Sequence, residues 1–117
     1  MENTEKARKS HILIFKLDPE SEEFEEFSNE EDLPVYKLLE HDQIVLLVNS
    51  EHSRIYIWEG SKVTIKMKFL SAQLAPSIRD HYGIDYTITT IDDGDEPPVF
   101  RDFYKLDEAD SDEENNN

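Results

Sequence analysis

The sequence predicts an α+β fold: a three-layer α/β/α sandwich in which a mixed central sheet carries a long helix on one face and a short helix on the other. Three observations predict it. Two runs of β-branched and aromatic residues, Ile44-Val45-Leu46-Leu47-Val48 and Ile55-Tyr56-Ile57-Trp58, are joined by the polar turn Asn49-Ser50-Glu51-His52-Ser53, which is the pattern of a β-hairpin. Residues 62–81 lack glycine and repeat apolar side chains at helical spacing. The hairpin strands are apolar at consecutive positions, as strands covered on both faces are.

The elements follow in chain order. Residues 1–10 are polar and expected to be flexible, which places the domain at 11–106. His11-Ile12-Leu13-Ile14-Phe15-Lys16-Leu17 reads as a strand that ends at Asp18-Pro19. Residues 18–32 hold nine acidic side chains and no basic one. Within them Phe24 and Phe27 stand three apart, a spacing that suits a helix better than strand alternation. The stretch reads as a solvated acidic connection; the alternative is a docking surface for a basic patch. Asp32-Leu33-Pro34-Val35-Tyr36-Lys37-Leu38-Leu39 predicts a helical turn with proline early. Glu59-Gly60 ends the second hairpin strand.

The long helix carries two apolar stripes. Val63, Met67, Leu70, Leu74 and Ile78 fall at i, i+4, i+7, i+11 and i+15 on one face. Ile65, Phe69, Ala72 and Pro76 fall roughly opposite. A surface helix needs one stripe to hold it on its sheet. The second requires a cover, either a neighbouring segment of the chain or the groove of a partner. Pro76 is predicted to bend the helix or end it near Ala75, because proline removes one ladder bond. Tyr82-Gly83 predicts a left-handed helix stop. Asp85-Tyr86-Thr87-Ile88-Thr89-Thr90-Ile91 alternates and is β-branched, which predicts a strand. An acidic turn, Asp92-Asp93-Gly94-Asp95-Glu96-Pro97-Pro98, leads to a short helix over Val99-Phe100-Arg101-Asp102-Phe103-Tyr104-Lys105-Leu106. Residues 107–117 are acidic and asparagine-rich and are expected to be a disordered tail.

Composition narrows the function. With 117 residues the chain has room for one domain. Its net charge of −16 disfavours nucleic acid and anionic membranes, both of which require a basic footprint. Cysteine is absent, so there is neither a disulfide nor a thiolate metal site. No apolar run approaches the roughly 20 residues of a membrane span. His11, His41, His52 and His81 lack zinc spacing. Three glycines form no phosphate-binding loop, and nothing in the pattern sets a base beside a nucleophile. A monomeric cytoplasmic binding module is expected, not an enzyme.

Three motifs then resemble one family. Arg54-Ile55-Tyr56-Ile57-Trp58-Glu59-Gly60 before a long helix is similar to the IYxWxG strand and helix of the gelsolin/villin repeat. Asp42-Gln43-Ile44-Val45-Leu46-Leu47 is similar to the strand that precedes it there. Asp93-Gly94-Asp95-Glu96-Pro97-Pro98-Val99-Phe100 resembles the closing EGxEPxxF motif. They occur in the family's order over about residues 11–106. A single repeat with an acidic tail is similar to the minimal gelsolins of Asgard archaea.

The resemblance implies a cytoskeletal protein with actin as partner, through monomer binding, capping or severing, and calcium as regulator. In the family the long helix enters a cleft between two actin subdomains. The matching face here is Ile65, Phe69, Ala72, Gln73 and Pro76, the second stripe already found by periodicity. The family's internal calcium site uses an aspartate matching Asp42 and a helix glutamate whose place is taken here by Lys66 or Met67; a lysine opposes a cation, so this site is expected to be weakened or lost. The site shared with actin uses residues matching Asp80, the carbonyl of Gly83 and Glu96. Hard cations take several oxygen ligands, which these groups supply. Purely structural roles stand beside these, Asp42 as a turn cap and Glu96 as the residue before a proline-initiated helix. The alternative function is a coat or scaffold subunit that uses the same fold for other protein contacts.

Overall fold

A computed structural model describes residues 12–108. Its elements are β1 (Ile12–Asp18), β2 (Glu23–Phe27), a 3-10 turn (Val35–Leu38), β3 (Ile44–Asn49), β4 (Arg54–Glu59), α1 (Ile65–Tyr82), β5 (Thr87–Asp92) and α2 (Pro98–Tyr104). The strands form one sheet in the order β2-β1-β3-β4-β5. All pairs are antiparallel except β4 with β5, the two strands that α1 connects. A parallel pair needs a long crossover, and α1 supplies it. The expected mixed sheet between one long and one short helix is therefore present. The start at 1–10, expected to be flexible, lies outside the described residues, as does the expected tail from 109 on.

Strand alternation divides the core into two layers. Ile44, Leu46, Val48, Ile55 and Ile57 face α1 and meet Val63, Met67, Leu70, Leu74, Ala75 and Ile78. Val45, Leu47, Tyr56, Trp58 and Ile91 face the other way and meet Phe100, Tyr104 and Leu38. Every residue of β3 is buried, which is why its sequence shows no alternation.

Four expectations are corrected. The acidic connection contains a strand: β2 pairs with β1, with Leu17 opposite Phe24 and Ile14 opposite Phe27. Three residues apart on a strand are on opposite faces, so Phe24 joins the α1 layer and Phe27 the α2 layer. Glu23, Glu25 and Glu26 remain exposed on this edge, where charges are tolerated and block pairing with other chains. Second, α1 starts later than residue 62, at Thr64, whose Oγ1 accepts a bond from the Met67 N–H at 3.1 Å. Third, α1 does not end near Ala75 but continues through Pro76 to Tyr82. An interior proline costs about 3 kcal/mol, and the apolar contacts of Leu74, Ala75 and Ile78 on either side of it offset that. Fourth, Gly83 ends α1 in extended rather than left-handed backbone, its N–H bonded to the Arg79 carbonyl. The ordered domain also reaches past residue 106, since Asp107 accepts two bonds from Arg101.

One glycine is fixed by crowding. A Cβ at Gly60 would lie 2.2 Å from the His41 carbonyl oxygen, while the Gly60 N–H bonds the Gln43 carbonyl. This close approach ties the segment before β3 to the start of the β4–α1 loop.

Candidate functional site

The helix α1 sits on the sheet through one face, and its other face has no cover among the described residues. Ile65 is 84% exposed and Phe69 63% exposed, unusual values for large apolar side chains on a helix whose opposite stripe is packed. Ala72 and Gln73 are exposed in line with them, and Pro76 is half-buried at the end of the row. The structure thus brings all five expected docking residues onto one surface. The packing face differs in one respect from the periodic pattern. Its most buried members are Ser71 and Ala75, both about 1% exposed, rather than the large residues beside them. Small side chains let the helix axis approach the sheet, and their i, i+4 spacing, each directly after a leucine of the stripe (Leu70 and Leu74), is the signal that would have shown this.

Charge on α1 opposes that of the chain. Between Ile65 and Tyr82 the helix carries Lys66, Lys68 and Arg79 against Asp80 alone, in a chain of net charge −16. Lys66 bridges to Glu22 at 2.8 Å, tying the start of α1 to the β1–β2 turn. Arg79 pairs with its neighbour Asp80. The uncovered face of α1 is apolar with basic flanks.

The expected calcium ligands are not gathered into one place. Among the described residues no three His, Asp or Glu side chains cluster as a metal site would require. Asp42 is exposed at the entry to β3, and of the two positions expected in place of the family's helix glutamate, Lys66 and Met67, Lys66 is ion-paired to Glu22. Oxygen ligands are too few there for a hard cation. Glu96 is 5% exposed at its side chain and already engaged: Oε2 accepts from the Trp58 indole at 2.9 Å and the Gly94 N–H at 3.2 Å, and Oε1 from Arg101 at 3.3 Å. It holds the turn before α2 against β4. Asp80 is different, with its carboxylate 56% exposed at the end of α1. The Gly83 carbonyl accepts the Tyr86 N–H.

Sequence reasoning missed a polar clasp beside Asp42. His41 Nδ1 bonds Asp93 Oδ2 at 2.5 Å, and the same oxygen accepts the Ser61 N–H at 2.9 Å. Three loops meet there. The Asp93 hydrogen bond raises the His41 pKa above its ordinary value. Burial pushes the Asp93 carboxyl upward, but the bonds from His41 and Ser61 outweigh it and hold the group below the usual range. His41 and Asp93 are 52 residues apart, so no local pattern announces the pair.

No known family and no curated protein matches the sequence. Solved structures do match its fold. A chain in the crystal structure of the Thorarchaeota ProGel/rabbit actin complex superposes with a TM-score of 0.65 at 20% identity, over 80% of this chain and 98% of that one. A chain in the crystal structure of the Thorarchaeota 2DGel3/rabbit actin complex gives 0.56 at 24% identity, over 79% of this chain. This chain spans 44% of that second one, less than half its length.

Proposed function

From its fold, which is that of a gelsolin domain, we propose that this chain binds actin by laying the outer face of α1 into an apolar cleft of its partner. The observation that carries the proposal is the uncovered row Ile65, Phe69, Ala72 and Gln73, which neighbours the basic side chains of α1. An amphipathic helix with anchors at i, i+4 and i+7 is a recurring way to fill a groove. The fold likeness to chains crystallised in complexes with rabbit actin supports the choice of partner. Monomer binding, capping or severing through that face is the activity proposed.

Calcium enters the proposal only at the exposed end of α1. Asp80 and the Gly83 carbonyl are the oxygen groups that would hold the ion, with a carboxylate from the partner completing the set. Glu96 would join them only by releasing Trp58, Gly94 and Arg101. The ion would supply positive charge between two acidic proteins. Sedimentation of labelled monomeric actin with the full chain, in calcium and in chelator, tests both parts. Complex formation in calcium supports the function. Its absence under both conditions refutes it, and equal affinity in both removes calcium while leaving the binding face intact.

A further inference from the structure

A second concavity lies on the opposite face of the sheet from α1. The helix α2 has seven residues and covers Tyr56, Trp58 and Ile91 but not the far end of β4 and β5. Strand register places Arg54 beside Thr87 on this uncovered end, and Tyr56 beside Thr89 next to it. The result is an open depression of about 490 Å³ lined by His52, Arg54, Tyr56, Thr89, Pro97 and Val99. That volume suits a small organic ligand.

Its polar groups are oriented before any ligand arrives. Arg54 Nη1 donates to Thr89 Oγ1 at 2.7 Å, which fixes the guanidinium and uses one of its five N–H donors. Among the described residues no carboxylate lies within ion-pair reach of Arg54, although the chain has 28 acidic residues against 12 basic. His52 is also held. Its backbone N–H bonds Asn49 Oδ1 at 3.0 Å, which turns the Asn49 amide nitrogen toward Tyr104 and His52 Nδ1. The Tyr56 hydroxyl lies 2.8 Å from the same Nδ1. Taking the Asn49 amide and the Tyr56 hydroxyl, which both face Nδ1, as donors to it assigns the imidazole proton to Nε2. Val99, 57% exposed, and Pro97 form an apolar wall beside these donors.

We propose that this depression binds a small organic oxyanion, a phosphate or carboxylate borne on an apolar body. Arg54 and the His52 Nε2–H hold the oxyanion, and Val99 and Pro97 hold the body. A planar guanidinium matches either oxyanion by a two-pronged contact. The net negative charge of the chain acts against any anion at long range, but salt screens it beyond about 8 Å at physiological strength, leaving the local donors to decide.

The test is titration of the full isotope-labelled chain with phenyl phosphate, benzoate and inorganic phosphate at about 0.15 M salt, read by amide and side-chain NMR shifts. Saturable shifts confined to His52, Arg54, Tyr56, Thr89 and Val99 are expected, with both aryl ligands tighter than inorganic phosphate because only they cover Val99. Arg54→Gln should weaken binding roughly tenfold or more, the loss of a charge-assisted contact. Val99→Asp sets a carboxylate at the mouth on an exposed position, so the fold is retained, and it should weaken binding comparably. If Arg54→Gln proves unfolded, Val99→Asp alone decides. Unmoved resonances at this site, equal binding of inorganic and aryl phosphate, or unchanged affinity in Val99→Asp would each overturn the proposal. Because α1 lies across the sheet, none of these outcomes bears on actin binding.

Discussion

Phe69→Ala tests the division of α1 into two faces. A phenylalanine side chain buries about 200 Å² when fully covered. With 63% of the residue exposed in the free chain, roughly 125 Å² remains to be covered by a partner. At about 25 cal/mol per Å² this is ~3 kcal/mol, or on the order of a hundredfold in Kd if the ring fills its pocket. Alanine keeps part of that area, so a loss of about thirtyfold is expected in actin affinity. Stability should change by no more than about 0.5 kcal/mol, as for other exposed positions. The neighbouring Leu70→Ala should do the reverse. Leu70 packs against the sheet through the α1 layer, and its truncation should cost about 2 kcal/mol of stability. Affinity from titration calorimetry and stability from urea unfolding separate the two effects. Comparable destabilisation by both variants, or actin affinity within about twofold of wild type for Phe69→Ala, would refute the face assignment.

Further outcomes follow from groups away from that face. The Ser71 hydroxyl is buried without a hydrogen-bond partner among the described residues, so Ser71→Ala should stabilise by about 1 kcal/mol, helped by alanine's helix propensity; a lower melting temperature would contradict this. The raised His41 pKa means the folded state binds the extra proton. The contribution of the His41–Asp93 pair is therefore complete below the ordinary histidine value and declines as pH rises through the raised one. At the acid end it is lost again as pH falls through the depressed Asp93 value. Melting temperature against pH should fall across neutral pH, and His41→Gln should flatten that slope; an unchanged slope would show the pair does not titrate with folding. Calorimetry of the free chain should detect no tight calcium binding, because the acids among the described residues do not cluster as a metal site requires. A stoichiometric signal abolished by Asp42→Ala would show that the internal site survives without its helix glutamate.

The hairpin was legible in two unbroken apolar runs around a polar turn, and the long helix with both of its stripes in periodicity, which survives wherever one face is buried and the other wet. Strand β2 was not legible for the converse reason. At the sheet edge both faces are half-open, so Phe24 and Phe27 each pack on a different layer while the glutamates between them stay in water, and no period of two emerges. The continuation of α1 through Pro76 was hidden as well, since local propensity argues for a break and only tertiary contacts oppose it. The exposed row of Ile65, Phe69, Ala72 and Pro76 was legible in the spacing, whereas a docking role for it and for Gln73 came only from the family resemblance. The calcium ligands were not separable from structural acids, because Glu96 has the right type and position for either role, and only its bonds to Trp58, Gly94 and Arg101 show what it does in the free chain. The His41–Asp93 clasp depends on a chain crossing that no short window contains.

Pro76 has a consequence for what α1 offers a partner. A helix normally hides its main chain, since each carbonyl accepts the N–H four residues later. Pro76 has no N–H to give the carbonyl of Ala72. Ala72 is exposed in the middle of the docking row, where its methyl group obstructs little. The Ala72 carbonyl therefore lacks the N–H a helix normally gives it, in the centre of an otherwise apolar strip. A donor reaching that oxygen would recognise the chain through its backbone rather than a side chain. Small substitutions at Ala72 would leave such recognition in place, whereas any other residue at Pro76 would restore the missing N–H and close the acceptor.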